Sequence, residues 1–190
     1  MPARIPAGRL ALWRSQSGRA AASADRCPHR GMSLSHGFVR GETLSCIYHG
    51  WSYDRTGHCL RIPAHPGLTP PQAIRAASYR VEEVDGVIWV AEGEPASKPP
   101  ALTGLVPLRS LTASADLAAI EAAAQAKTTA EGLLQAAGNL TLLLSAGGES
   151  ETLMHVLVKG AATAAGRIAA SRMAENLRRR AEELHHQEAA

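Results

Sequence analysis

The 190-residue sequence predicts two unlike pieces in one chain, a small antiparallel β-domain followed by a compact α+β segment. Three observations carry that prediction. All seven aromatic residues (Trp13, Phe38, Tyr48, Trp51, Tyr53, Tyr79 and Trp89) precede residue 90, and the remainder is rich in Ala, Leu and Gly. Up to residue 91, short apolar runs alternate with tight-turn signals, the pattern of small antiparallel sheets. The proline-rich stretch Glu94-Pro-Ala-Ser-Lys-Pro-Pro-Ala101 then breaks the chain. The predicted organisation is a β-domain over 1–97, a linker over 98–111 and a small α+β segment over 112–190.

The β-domain elements follow in order. Leu10 to Arg14 and Ala20 to Asp25 flank a turn at Ser15 to Gly18, and Phe38 to Arg40 and Thr43 to Cys46 flank Gly41-Glu42. Trp51 to Tyr53 and His58 to Ile62 flank Asp54 to Gly57. Tyr79 to Glu83 and Val87 to Ala91 flank Asp85-Gly86, a strong short-range hairpin signal because both central positions of a type I′ turn need positive φ. Pro63, Pro66, Pro70 and Pro71 predict a loop that carries His65. In the second segment Ser114 is placed to cap a helix reaching about Lys127. Two strands, Leu140 to Ser145 and Thr152 to Val158, precede a long helix from about Ala161 to Leu184. Ala169, Met173, Leu177, Ala181 and Leu184 share one stripe of that helix.

Composition narrows the function classes. Apolar residues are 45%, charged residues 19% and mean hydropathy is −0.10, values of a globular chain rather than a disordered one. No apolar run approaches the roughly 18 residues of a membrane span. The N-terminus lacks the apolar core of a secretion signal, so a cytoplasmic protein is expected. Net charge is +3, divided as 12 Lys and Arg against 8 Asp and Glu in residues 1–100, and 8 against 9 thereafter. Neither half has the concentrated basic face of a nucleic-acid binder. The run Arg178-Arg179-Arg180 precedes Glu182 and Glu183 and reads as a solvated helix face.

The chemistry concentrates in two loops, Cys27-Pro-His29-Arg30-Gly31 and Cys46-Ile-Tyr-His49-Gly50-Trp51. Together they offer two thiolates and two imidazoles to a metal centre. A tetrahedral zinc would take all four on one ion. A 2Fe–2S cluster of mixed ligation would take two Cys on one iron and two His on the other. The cluster is favoured because Cys-x-His, sixteen residues, then Cys-x-x-His departs from the usual zinc knuckle. Gly31, Gly37 and Gly50 are expected to let backbone N–H groups approach the sulfides, while Trp51 and Tyr53 shield the second loop from water.

On these residues the sequence resembles the Rieske domain of the aromatic-ring-hydroxylating and related Rieske oxygenases. The resemblance runs through Asp25 to Gly37, Cys46 to Trp51, Asp54 to Pro63 and Val87 to Gly93. It implies that Cys27 and Cys46 bind one iron and that His29 and His49 bind the other through Nδ1, with Nε2 outward. The implied cofactor is a Rieske 2Fe–2S cluster, with a potential in the lower part of the range of about −150 to +300 mV. The loops hold no further cysteine pair like the disulfide of the respiratory type. Cys59 is expected to be a small buried hydrophobe.

The family's catalytic domain would add a mononuclear iron held by two His and a carboxylate. Its Asp-x-x-His segment is not found, and after residue 97 the histidines are His155, His185 and His186. No catalytic residue is therefore assigned. His155 is expected to be a partly buried strand residue, and His185 and His186 to sit at a helix C-terminus where the dipole favours cations. His36 and His58 are assigned surface or hydrogen-bonding roles, and Trp13 and Trp89 core positions. The closing hairpin and helix resemble the end of a Rieske-oxygenase catalytic domain, as though its middle were removed. The resulting expectation is an electron-transfer protein that passes single electrons from a reductase to an oxygenase-type partner, without nucleic acid or membrane, and able to form oligomers. The alternative is an atypical oxygenase subunit for ring hydroxylation or demethylation with a missing or shared iron site. The rim of Arg30, Met32 and Tyr48 is the expected docking edge.

Overall fold

A computed structural model describes residues 1–95, 97–148 and 150–188 of the chain. It divides into two compact units: Met1–Glu83 with Ile88–Pro99, and Val84–Val87 with Pro100–Ala190.

The first unit holds two antiparallel sheets. Its strands are β1 (Pro2–Ile5), β2 (Gly8–Arg14), β3 (Ala20–Ala24), β4 (Phe38–Arg40), β5 (Thr43–Ser45), β6 (Ser52–Tyr53), β7 (Cys59–Arg61), β8 (Ser78–Val84) and β9 (Val87–Ala91). One sheet runs β1-β2-β3-β8-β9 and the other β4-β5-β6-β7. The predicted hairpins form, and β1 extends the first sheet beyond them. Alanine-rich β3 lies beside β2 with Ala21 opposite Trp13, so a small side chain leaves room for the indole. The core gathers Trp13, Leu34, Leu44, Tyr53, Cys59 and Ile62 around Cys27 and Cys46. Burying an aromatic or branched side chain of this kind stabilises by about 1.5–3 kcal/mol each. Asp85 and Gly86 both have positive φ, 50° and 77°, as the predicted two-residue turn requires.

The second unit is a four-stranded antiparallel sheet in the order β10-β13-β12-β11 with two helices. Its strands are β10 (Leu105–Ala113), β11 (Leu133–Ala136), β12 (Leu140–Gly148) and β13 (Glu151–Lys159). Residues 105–113, mostly inside the stretch read as linker, thus form a nine-residue strand. Helix α1 spans Leu117–Ala124 and is capped by Asp116, whose Oδ1 accepts the Ala119 N–H at 2.8 Å. Ser114 is not the cap: the Thr152 hydroxyl donates to the Ala115 carbonyl at 2.8 Å and the helix begins two residues later than expected. Helix α2 spans Ala164–Glu188. Its buried stripe runs through Ala170, Met173, Ala174, Leu177 and Ala181 against Leu111, Leu142, Leu144 and Met154, while Ala169 is exposed. Arg178 is not on a solvated face. Its side chain is 22% exposed and is clamped between Glu175 (2.8 Å) and Glu182 (2.6 Å).

Candidate metal centre

The two predicted loops are built on one plan. In the first, the Cys27 N–H donates to the Met32 carbonyl and the Gly31 N–H to the Cys27 carbonyl, both at 2.8 Å. In the second, the Cys46 N–H donates to the Trp51 carbonyl and the Gly50 N–H to the Cys46 carbonyl, both at 2.9 Å. Closing so tight a turn needs the left-handed backbone of Gly31 (φ 73°) and Gly50 (φ 71°). A Cβ on Gly50 would lie 3.0 Å from Pro63 Cγ, so packing as well as φ excludes a side chain there. These N–H groups are engaged inside the loops, and that of Gly37 donates to Leu34. The glycines thus act through conformation, and around Cys46 the backbone N–H groups of Tyr48 and His49 reach the thiol. Asp25 braces the first loop by accepting both the N–H and the hydroxyl of Ser35, at 2.7 and 2.8 Å.

Both loops send their cysteines inward. Cys27 and Cys46 are each 2% exposed. The Cys27 Sγ lies 3.1 Å from the Tyr53 hydroxyl. Burial, with the neighbouring Cys27 thiol, pushes the Cys46 thiol up, and burial followed by the Cys27 contact does the same to Tyr53. Two thiolates at this position would be costly to hold without a cation between them. Cys59 lies in the same core, fully buried, with its thiol directed at the Arg61 carbonyl.

The histidines point the other way. The His29 and His49 rings meet edge to face with centroids 4.8 Å apart. His29 is stacked on Trp51 at 4.3 Å and 3°, and His49 on Tyr48 at 3.8 Å and 30°. Desolvation, then His49 and Arg30, pulls the His29 pKa below the usual imidazole value, which disfavours the charged form of the ring. Trp51 therefore covers the first-loop histidine while it also packs against the core that holds Cys46.

The structure pairs the residues singled out from the sequence, Cys27 with Cys46 in the core and His29 with His49 outside it. A single zinc would draw all four to one point, yet among the described residues no three His, Cys, Asp or Glu side chains converge as ligands of one ion. A two-iron cluster asks for only two protein ligands per iron. The donor set fits it: a buried thiol pair inside, an imidazole pair outside. Arg30 and Tyr48 are exposed and Met32 half-buried. Elsewhere, His155 Nδ1 lies 2.7 Å from the Ser110 hydroxyl, and His185 Nδ1 lies 3.7 Å from Asp116 rather than relying on the helix dipole alone. Trp13 is buried and Trp89 half-buried. Sequence reasoning missed the Tyr53 hydroxyl on Cys27 and the Asp25–Ser35 brace. The period-two alternation of β5 and β6 points Leu44 and Tyr53 inward together, and that signal could have found the first.

Fold and donor set together define an iron–sulfur protein. Residues 3–84 match the Rieske 2Fe-2S domain family, so the first unit is built on a Rieske domain, and its cofactor is a Rieske-type 2Fe–2S cluster. The chain is 44% identical to oxidoreductase NdmD of Pseudomonas putida over 91 residues, 47% of this chain and 16% of NdmD. It is 40% identical to the oxygenase component of dicamba O-demethylase of Stenotrophomonas maltophilia over 91 residues, 48% of this chain and 26% of that protein. The matched stretches are thus 16% and 26% of these longer relatives. Among solved structures, apo dicamba monooxygenase superposes with a TM-score of 0.78 at 19% identity, covering 100% of this chain and 82% of that one. NdmA of Pseudomonas putida CBB5 gives 0.73 at 16%, covering 97% and 73%. At such identities the likeness is one of fold.

Proposed function

We propose that this chain is a one-electron carrier in which Cys27 and Cys46 ligate the inner iron of the cluster and His29 and His49 the outer one. The observation that carries the reading is the polarity of the donor set, two thiols 2% exposed behind two stacked imidazoles at the surface. When bound, the cluster takes up and releases a single electron. The protein's own residues do the rest. Tyr53 donates to Cys27 Sγ and eases the added negative charge. Trp51 and Tyr48 hold the imidazoles against rotation and exclude water from one face of each ring. Exposed Arg30 places a cation beside His29. The imidazole edges form the shortest way out, toward a partner on the rim of Arg30, Met32 and Tyr48.

The electron donor is a reductase and the acceptor an oxygenase-type subunit, with both exchanges in the cytoplasm. No helix among the described residues is long and apolar enough to cross a membrane. A second reading, an oxygenase subunit completed by another chain, is favoured by one observation: the fold likeness to dicamba monooxygenase extends over 100% of this chain, the second unit included. Iron analysis separates the two. The carrier binds two irons and two labile sulfides per chain and takes up one electron per two irons. A third iron with oxygen-dependent product from reduced protein would overturn the carrier reading.

A further inference from the structure

The sheet β4-β5-β6-β7 has one face in the core, where Leu44, Tyr53 and Cys59 are buried, and one face turned outward. Across that outer face the register sets Phe38, Ser45, Ser52 and Arg61 side by side on four successive strands, with Arg40 opposite Thr43 in the next row. These residues line a surface cleft of about 390 Å³ that reaches Gly50, the neighbour of His49. Hydroxyls occupy its floor, where Ser45 and Ser52 pair at 2.9 Å. Exposed Phe38 (39%) and Leu60 (48%) form apolar walls.

Charge decides what the cleft fits. Residues 26–75 hold six arginines and only two carboxylates. Both carboxylates are engaged at home: Glu42 accepts the Ser17 N–H and hydroxyl, and Asp54 accepts from Thr56 and His58. Arg40 lies over the Phe38 ring at 4.8 Å, and neither it nor Arg61 has a carboxylate partner among the described residues. An unpaired guanidinium is a fork that binds a carboxylate through two parallel hydrogen bonds. Two of them beside hydroxyl donors and apolar walls suit an acidic protein loop.

We infer that the Arg40–Arg61 cleft is the docking slot for the acidic protein that donates the electron, separate from the Arg30 rim toward which the electron leaves, and that the donor seats carboxylate side chains on the two guanidiniums beside the His49 loop. The inference rests on the carrier reading and names the chemistry of its partner. In the exchange the donor's cluster loses one electron and this cluster gains it, with no bond made or broken. A plant-type ferredoxin near −400 mV can drive that step downhill into the Rieske range.

The test is stopped-flow reduction of the cluster-loaded protein by a strongly acidic plant-type ferredoxin across a salt series. Steered association of this kind is accelerated by about 10- to 1000-fold and falls steeply with ionic strength. The variant Arg40→Gln/Arg61→Gln, with an unchanged visible cluster spectrum, is expected to lose at least about tenfold in second-order rate at low salt and most of its salt dependence. Arg9→Gln/Arg19→Gln removes the same charge from the other sheet and is expected to keep most of the rate. Equal losses in both double variants, or an unaltered rate in the first, would overturn the slot. So would a salt-sensitive dimer of this chain that Arg40→Gln/Arg61→Gln abolishes, since the occupant would then be a second copy. Photoreduced deazaflavin needs no docking. Failure of the parent protein to accept its electron would sink the carrier reading instead.

Discussion

Trp51 lies flat on His29, the two rings 4.3 Å apart and 3° from parallel, although they belong to different loops. The contact ties the position of one imidazole to the loop that carries the other. Trp51→Ala is expected to leave cluster content near that of the parent but to loosen His29. The measurement is the rate of cluster loss to an iron chelator, expected to rise several-fold. An unchanged rate would show that the stacking does not hold the ligand in place.

Replacing His49 by Ala removes one of the two imidazoles proposed for the outer iron. The expected outcome is loss of the visible absorption and of both irons, because ligand binding and loop order are coupled. His29→Cys puts a thiolate in place of the other imidazole. It is expected to retain colour while its electron paramagnetic resonance moves toward an all-thiolate signal. A coloured His49→Ala protein with two irons would remove His49 from the ligand set.

Tyr53→Phe deletes the hydroxyl 3.1 Å from Cys27 Sγ. The thiolate carries more negative charge after reduction, so the donor favours the reduced state and its loss lowers the potential. A net hydrogen bond of about 1 kcal/mol corresponds to about 40 mV for a one-electron couple. A redox titration followed by paramagnetic resonance reads the shift, and a potential within a few millivolts of the parent would assign Tyr53 to packing alone.

Gly50→Ala forces a side chain into φ 71° and within 3.0 Å of Pro63. The left-handed backbone alone costs about 1–2 kcal/mol. The denaturation midpoint should fall accordingly. Gly50→Ala/Pro63→Ala is expected to recover only the part due to contact.

The Arg178 guanidinium beside Glu175 holds that carboxyl down to about 2 from an ordinary 4.5. A depressed carboxylate stabilises the fold fully above the unfolded value and loses that contribution as pH falls from about 4.5 to about 2. Acid titration of helical circular dichroism should show this loss, and Glu175→Gln should flatten it in the same window. An identical profile in the variant would place the transition elsewhere.

The four candidate ligand positions were legible because Cys-x-His and Cys-x-x-His confine the chemistry to two short loops. The hairpins were legible because Asp85-Gly86 and its counterparts specify turns. What escaped were edge strands: β1, β10 and β11 all lie at sheet margins. Pro107 sits at a register shift in β10, where an edge strand tolerates it, and a proline read alone argues against a strand. The α1 cap escaped because Ser114 and Asp116 are equally good caps locally. The Thr152 bond to Ala115, a tertiary contact, selects the second. The Arg40–Arg61 cleft was invisible for the same reason, since it exists only through strand register.

Each ligand loop is a turn closed by its own pair of backbone hydrogen bonds, and neither pair spans the two loops. The backbone of each loop is therefore closed on its own, and side-chain contacts such as Trp51 on His29 join the two. The two halves of the centre are in this respect independent turns, so a change that opens one turn leaves the other's backbone hydrogen bonds in place.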